Sequence, residues 1–290
     1  MKRIDFLKTT GLIAVGAIGV NATIQAKEQA KKPNIIFILA DDLGYAEIGC
    51  NGADKYKTPN IDKLASDGMR FTNAYTAPLS GPSRSMILTG RHLFRTGATN
   101  QDACVEVKPT AESLIPTYLK KAGYVSTLIG KLGQMQLEPS DWGFDDYLRF
   151  NGSGIYWNTQ EKGKNFMLNG VKTPLKDKEY MPDLMHKRMV EFLTQNKNNP
   201  FFAYYSLSHV HGEILPTPDS KADSKNIYDD NIRYMDKLVG QLREELVRLK
   251  LDKNTILVFF GDNGTAKPNA DAATIGGRRL IGQKGSMQEG

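Results

Sequence analysis

The sequence feature that most constrains the fold is a set of apolar, β-rich runs that are continuous rather than alternating. Runs of this kind are typical of strands buried on both faces of a parallel sheet. They occupy residues 34–40, 124–129, 201–207 and 255–260. Helical segments lie between them, and they are predicted from the Thr58-Pro59 cap onward and over residues 113–122, 183–196 and 224–250. Strands that alternate with helices predict an α/β fold, a mostly parallel sheet flanked by helices on both sides.

Two segments do not follow this alternation. Residues 150–178 are rich in Asn, Gly and Lys, and they are predicted to form a long surface excursion without regular structure. Residues 1–26 combine a basic start, a short apolar stretch and a small-residue site at Ala26, which predicts an export signal peptide for the general secretory route. An ordinary N-terminal helix is the alternative. With the signal removed, residues 27–290 form one domain of an exported protein, periplasmic or extracellular.

Composition excludes several classes of protein. Hydrophobic residues make up 40% of the chain and charged residues 24%, which are globular rather than disordered proportions. The net charge of +6 is spread without basic blocks, so nucleic acid is not an expected partner. No apolar run beyond residue 40 approaches the roughly 20 residues that a membrane-spanning helix needs, so no span is expected in the mature chain. Cys50 and Cys104 fit no metal or redox spacing; free thiols and one disulfide are both open.

Charged and polar residues directly follow the ends of the apolar runs. Because the carboxyl ends of parallel strands meet at one edge of a sheet, these side chains are expected to converge there. Any one of them alone is more often a turn or cap residue, but four coinciding strand ends favour a site. Clustered carboxylate and amide oxygens suit Ca²⁺ or Mg²⁺ rather than zinc. The residues are Asp41-Asp42 after the first run, Lys131 after the second, His209 and His211 after the third, and Asp262-Asn263 after the fourth.

A fifth element is the motif from Ser80 to Gly90. Pro82 is expected just inside a helix start, which would place Ser80 near a helix N-terminus, where backbone N–H groups favour an anion. Taken alone, such a motif is more often a plain Ser N-cap with a solvent-facing Arg84.

These residues resemble the signature of the sulfatase family. The motif Ser80-x-Pro82-Ser83-Arg84-x-x-x-x-Thr89-Gly90 matches the family pattern in which the first position, Cys or Ser, is converted to formylglycine. Further blocks occur in the family's order across nearly the whole mature chain. They include Pro33-Asn34 through Gly44, Thr58 to Asp62, Gly130-Lys131, Gly143 to Asp145, Asp262 to Gly264, and the segment beginning at Lys284.

The resemblance implies a role for each matched residue. It implies an alkaline-phosphatase-like sulfatase fold with a Ca²⁺ ion held by Asp41, Asp42, Asp262 and Asn263, and by the formylglycine derived from Ser80. Arg84 is expected to pair with the formylglycine hydroxyl, while Lys131 and Lys284 hold sulfate oxygens. His211 is expected to approach the bridging oxygen of the ester, with His209 as its rival for that assignment.

The implied activity is hydrolysis of sulfate esters, on a sulfated glycan or another sulfate monoester. Because the modified position is Ser80 rather than Cys, the implied maturing partner is a radical-type formylglycine-generating enzyme, alongside the export machinery. A phosphoester hydrolase that uses unmodified Ser80 is one alternative. A non-catalytic binder of sulfated glycans is another.

Two departures from the family pattern bear on that activity. After Lys131 the family commonly has an aromatic residue and then a histidine, but Leu132 and Gly133 occupy those places here. Gln134, Gln136 and His209 are the candidates to substitute. The second departure is that the chain stops at Gly290, inside a block that in the family continues into a smaller C-terminal subdomain. We therefore expect a chain lacking that subdomain, with Lys284 poorly fixed and weak activity.

Overall fold

The structure is a computed structural model that describes residues 31–150, 152, 155–158 and 164–288. The predicted export signal at residues 1–26 lies outside the described residues and stays a prediction. The strands are β1 (Asn34–Ala40), β2 (Val125–Gly130), β3 (Asp146–Arg149), β4 (Asn165–Leu168), β5 (Val171–Pro174), β6 (Phe201–Ser206), β7 (Thr255–Gly261), β8 (Thr274–Ile275) and β9 (Arg278–Arg279). The helices are α1 (Pro59–Asp67), α2 (Ser80–Thr89), α3 (Leu93–Thr96), α4 (Ile115–Lys121), α5 (Met181–Asn196) and α6 (Ile227–Arg248).

The main sheet is mixed but mostly parallel. Within the described residues its seven strands lie in the order β5-β4-β3-β2-β6-β1-β7. The five strands from β3 to β7 in this order are parallel to one another, and β4 and β5 add an antiparallel hairpin at one edge. The predicted fold class, a mostly parallel sheet flanked by helices, is therefore confirmed.

The two faces of the sheet each bury an apolar core. Along β1, Ile36 and Ile38 point into one core and Leu39 into the other, and β6 alternates in the same way between Phe201 and Phe202. Helices α5 and α6 cover the first face, and α2 and α4 cover the second. Because both faces of the sheet are buried, the alternating strand residues that point to either face must be apolar. This explains why the strands appear in the sequence as unbroken hydrophobic runs.

The prediction for residues 150–178 is wrong in part. The described part of that segment contains β4 and β5, which join the main sheet through Leu148, paired with Leu168. Their outer strand is largely exposed, and Val171 in it is 65% exposed. A short hairpin at a sheet edge needs few buried residues. Its polar composition therefore resembles that of a loop, and the hydrophobic pattern does not reveal it.

The structure also bears on the two cysteines and on the question of a membrane span. Cys50 and Cys104 are both free thiols, so the disulfide alternative is not realised. Among the helices of the described residues, none combines the length and the apolar character needed to cross a membrane.

One buried carboxylate connects the first helix to the longest one. Asp236 on α6 accepts hydrogen bonds from the backbone N–H groups of Asn60 and Ile61 at 3.1 and 2.9 Å, and from the Asn60 side chain at 2.8 Å. The first N–H groups of a helix have no partner within the helix. Asp236 therefore supplies from another element the cap that the Thr58 side chain does not provide.

We predict that Asp236→Ala lowers the free energy of unfolding by about 2–4 kcal/mol, because it leaves two backbone donors of α1 without an acceptor. Urea unfolding of purified protein measures this difference. Glu244→Ala, at an exposed position on the same helix, is the matched control and should change stability by less than about 0.5 kcal/mol. Equal stability of both variants would show that water can replace Asp236 as the hydrogen-bond acceptor for the backbone N–H groups at the start of α1.

Candidate active site

The ends of β1 and β7 bring four of the predicted residues together. The strands are neighbours, with Ala40 paired to Gly261, and the N–H of Asp262 donates to Ala40 O at 3.0 Å, one residue beyond. The N–H of Asp42 then donates to Asp262 Oδ1 at 3.0 Å, and Asn263 Nδ2 donates to Asp42 Oδ1 at 2.8 Å. The side chains involved are almost completely buried.

The backbone at Asp42 allows two consecutive carboxylates to serve one site. Successive side chains of an extended strand point to opposite faces. The chain leaves the extended conformation directly after β1, with Asp42 in the left-handed region at φ 62°. Asp is among the few non-glycine residues that adopt this conformation at modest cost. The Asp-Asp pair therefore ends the strand and also supplies two acidic side chains to the same place.

Helix α2 brings Ser80 and Arg84 to the same strand ends. Ser80 is the first residue of the helix rather than its cap, which is Leu79. Arg84 lies one turn later and donates through Nε to Ser80 Oγ at 2.9 Å and through Nη2 to Asp262 Oδ2 at 2.8 Å. Both Ser80 and Arg84 are fully buried. The alternative of a plain Ser N-cap with a solvent-facing arginine is therefore wrong.

Two lysines reach this cluster from different directions. Lys131 follows β2, and its Nζ lies 2.9 Å from Asp41 Oδ2. The Nζ of Lys284 lies 2.7 Å from Asp42 Oδ1. Contrary to the expectation that Lys284 is poorly fixed, its backbone N–H also donates to Thr265 O at 2.9 Å. An ion pair and a backbone hydrogen bond therefore hold this lysine beside the carboxylates.

The two histidines after β6 lie in different surroundings. His211 Nε2 is 3.5 Å from Asp42 Oδ2, and the side chain is 16% exposed. His209 is fully buried among aromatic rings, and its Nε2 lies 3.0 Å from the hydroxyl of Tyr180. Only His211 therefore combines contact with the carboxylates and access to solvent, which places it at the site and His209 in the core.

The same geometry separates the three candidates for the missing histidine. His209 is turned into the aromatic cluster, and Gln136 is exposed. Gln134 lies against the first turn of α2, because its Oε1 would be 2.6 Å from a Cβ added at Gly81. That oxygen is buried and has no hydrogen-bond partner in the described part of the chain. Gln134 is thus the one of the three that lies next to Ser80 in space.

Burial and charge shift the pKa values of the site in opposite directions. Burial opposes ionisation of Asp41, but Arg84 and Lys131 outweigh it and hold the pKa of that carboxyl below its ordinary value. For Asp262, burial and the negative charge of Asp41 prevail and raise the pKa. Burial lowers the pKa of Lys131 and of His211, although Asp41 and Asp42 partly offset the effect on the histidine.

The donor set fits a hard divalent cation. Oxygen or nitrogen atoms of Asp41, Asp42 and His211 lie within 4.8 Å of one another. Asn263 Oδ1 is buried beside them and accepts no hydrogen bond from the described residues. A buried acceptor without a donor, next to carboxylates, suits a metal ion, and oxygen-rich sets favour Ca²⁺ or Mg²⁺. His211 joins this set by distance, although the sequence places it among the catalytic residues.

The sequence does not reveal one member of the site. Ser206, the last residue of β6, is buried, and its Oγ accepts a hydrogen bond from Arg84 Nη1. A single serine at the end of an apolar run has no spacing signal, so no motif would have identified it. Its role follows only from the position of Arg84.

Known proteins resemble the chain as follows. Residues 33–285 match the family model described as Sulfatase. Arylsulfatase G of Rattus norvegicus is 33% identical over 284 aligned residues, covering 84% of this chain and 54% of that protein. N-acetylgalactosamine-6-sulfatase of Homo sapiens is 31% identical over 291 residues, covering 89% of this chain and 55% of that protein. The solved structure of Ps i-CgsB in complex with k-i-k-neocarrahexaose superposes with a TM-score of 0.76 at 30% identity, covering 90% of this chain and 64% of that one. The chain spans about half the length of the curated relatives it matches.

The buried histidine leads to a prediction about pH. Burial lowers the pKa of His209 from 6.5 to about 3, so the folded chain keeps it neutral while the unfolded chain takes up a proton below pH 6.5. Stability that is present above pH 6.5 is therefore lost as the pH falls toward 3, by an amount on the order of 5 kcal/mol.

We expect His209→Gln, which cannot titrate, to lose less stability than the wild type over this pH range in urea unfolding. The difference between the two curves isolates the histidine from the carboxylates that also titrate there. His92→Gln, at an exposed position, is the control. Parallel curves for wild type and His209→Gln would contradict the prediction.

Proposed function

The chain belongs to the sulfatase family, and from that premise we propose that the protein hydrolyses sulfate esters carried on a carbohydrate. We propose further that Ser80 is converted to formylglycine and that Asp41, Asp42, Asp262, Asn263 and residue 80 hold a calcium ion. The observation that carries the proposal is the meeting of Ser80 with Arg84 and Asp262 at the strand ends, since Arg84 Nε donates to Ser80 Oγ at 2.9 Å.

The charges of the site suit an anionic ester. A sulfate monoester carries negative charge that a nucleophile must approach, so cations have to screen it before and during transfer. Arg84 is fully buried and donates directly to the oxygen of residue 80. Lys131 and Lys284 supply two ammonium groups that can bind sulfate oxygens, each within 3 Å of a carboxylate in the described structure. A bound calcium ion would neutralise those carboxylates and polarise the sulfate oxygens.

Conversion of Ser80 would make it a competent nucleophile. A serine hydroxyl is a weak nucleophile, whereas a hydrated aldehyde offers one hydroxyl to attack sulfur and a second whose deprotonation releases sulfate. The hydrogen bond from Arg84 Nε orients the oxygen at position 80. His211 is the residue that we assign to protonate the leaving alcohol, because it combines exposure with a place beside Asp42.

The relatives support a sugar sulfate as the substrate class. One is named as an N-acetylgalactosamine-6-sulfatase, and the solved structure of another was determined with a neocarrahexaose. By analogy we propose a sulfated glycan for this chain. We also propose export out of the cytoplasm, from the signal pattern of residues 1–26, and maturation by a radical-type formylglycine-generating enzyme, because the modified residue is a serine.

We predict that Ser80→Ala lowers turnover of a sulfated oligosaccharide by at least about 10⁴-fold, since it removes the nucleophile. Ser85→Ala is the matched control: its hydroxyl lies in the same helix, is buried and forms no hydrogen bond with the described residues, so activity should persist. Mass spectrometry of the wild-type peptide containing Ser80 should show loss of two hydrogens. An intact serine from a host able to modify it, together with phosphatase activity, would favour the phosphoester hydrolase. Glycan binding without sulfate release by modified protein would favour the non-catalytic binder.

The role of His211 gives a prediction that depends on the leaving group. His211→Ala should lower kcat by about 10²–10⁴-fold for a sugar sulfate, whose alcohol needs a proton to leave. For 4-nitrophenyl sulfate the loss should be far smaller, because nitrophenolate leaves without protonation. His92→Ala is the control, since it lies outside the site and is exposed. An equal loss for both substrates would mean that His211 does not act as the acid.

A further inference from the structure

A buried carboxyl group lies behind the proposed calcium site and has no assigned role. Glu47 is completely buried, five residues after Asp42. Its Oε2 accepts the N–H of Gly44 at 3.0 Å, and its Oε1 accepts the hydroxyl of Tyr228 at 2.8 Å. In the part of the chain that the structure describes, none of the groups that hydrogen-bond to it is positively charged.

Glu47 lies where the two ligand-bearing loops meet. Gly44 follows Asp42 by two residues, and Thr265 follows Asn263 by two residues. The N–H of Gly44 donates to Thr265 Oγ1 at 2.9 Å as well as to Glu47. The contact is so close that a Cβ at Gly44 would lie 2.5 Å from Thr265 Oγ1. The hydroxyl of Tyr228 connects the same carboxylate to α6, the longest helix of the fold.

If Glu47 served only to stabilise the fold, a buried carboxyl group would be an unfavourable choice. Burial raises the pKa of Glu47 to about 7, although hydrogen bonds from Thr265, Tyr228 and Gly44 oppose the shift. A neutral glutamine would fill nearly the same volume without a buried charge. The negative charge of Asp42 also raises that pKa, so the two carboxylates interact electrostatically. A divalent cation bound at Asp42 would favour the ionised form of Glu47 through the same interaction.

We propose that Glu47 is a positioning residue for the cation site: its carboxylate fixes the loops of Asp42 and Asn263 against α6 and adds negative potential, without contacting the ion. The inference rests on the calcium site proposed above. Residues that orient metal ligands typically change metal affinity by about 10–100-fold when they are replaced. The affinity of the site for Ca²⁺ therefore depends on a residue outside the ligand set.

The test is the dissociation constant for Ca²⁺ of the full chain, measured by isothermal titration calorimetry above the pKa of Glu47. Glu47→Gln should weaken binding at least about 10-fold, because it removes the charge and places an amide donor against donors. Glu112→Gln is the matched control: Glu112 is also buried, but its carboxylate pairs with Arg91 away from the calcium ligands, so the constant should stay within about two-fold. Tyr228→Phe keeps the carboxylate and removes one of its anchors, so its loss should be smaller than that of Glu47→Gln but measurable.

The outcomes separate a positioning role from a structural one. A lower melting temperature of Glu47→Gln with an unchanged Ca²⁺ constant would overturn the inference, and so would an unchanged constant at unchanged stability. If Glu47→Gln does not fold, Tyr228→Phe decides, and Ca²⁺ affinity equal to the wild type would overturn the inference. A wild-type chain without Ca²⁺ affinity would overturn the calcium proposal together with it. Wild-type binding with an unaffected Glu47→Gln variant would overturn the positioning role alone.

Discussion

The buried guanidinium of Arg84 is the interaction on which the site depends. It belongs to α2, and its hydrogen bonds and ion pairs reach the carboxyl ends of four parallel strands. Its partners besides Ser80 are Asp41 after β1, the carbonyl of Lys131 after β2, Ser206 at the end of β6, and Asp262 after β7. A fully buried charge is tolerated only when its hydrogen-bonding groups are satisfied, and removal of one member of such a pair typically costs about 3–5 kcal/mol. One side chain therefore fixes the first turn of α2, and with it Ser80, against the strand ends.

The remaining charges of the site follow from the arrangement around Arg84. Asp41 and Asp42 each pair with a lysine, while Asp262 pairs with the arginine. Burial opposes ionisation of both carboxyl groups; Arg84 and Lys131 outweigh it at Asp41 and hold its pKa below the ordinary value, whereas burial and the charge of Asp41 raise the pKa of Asp262. Carboxylates and cations therefore alternate within the site. In the proposed function, a metal ion would replace a lysine as the partner of a carboxylate, and that lysine would bind a sulfate oxygen. Glu47 places a further buried carboxyl group behind the same loops.

The departure at Gly133 also has a local explanation in the fold. A Cβ added there would lie 3.3 Å from Arg84 Cδ, and Gly133 has φ 111°, a conformation that side chains rarely adopt. A histidine at this position would therefore need a different path of the chain after Lys131. In the path seen here the next residue, Gln134, lies against Gly81 instead. An amide can accept or donate a hydrogen bond but does not take up a proton near neutral pH, so Gln134 could orient a hydroxyl at residue 80 without acting as a base.

The sequence by itself determined four of the five parallel strands, the long helices, the mostly parallel sheet and the family; it missed β3, which has only four residues. Buried parallel strands require apolar residues on both faces, and the residues at their ends belong to motifs of fixed spacing. It did not reveal the hairpin of β4 and β5, because an exposed edge hairpin needs no hydrophobic pattern. Tertiary structure alone separated the surroundings of His209 and His211, which are two residues apart on the same loop: His209 packs among tyrosines and His211 reaches Asp42. It alone placed Ser206 in the site and Glu47 behind it, because the contacts of each are hydrogen bonds to residues distant in sequence. Such contacts depend on how the elements pack, and local sequence pattern does not encode them.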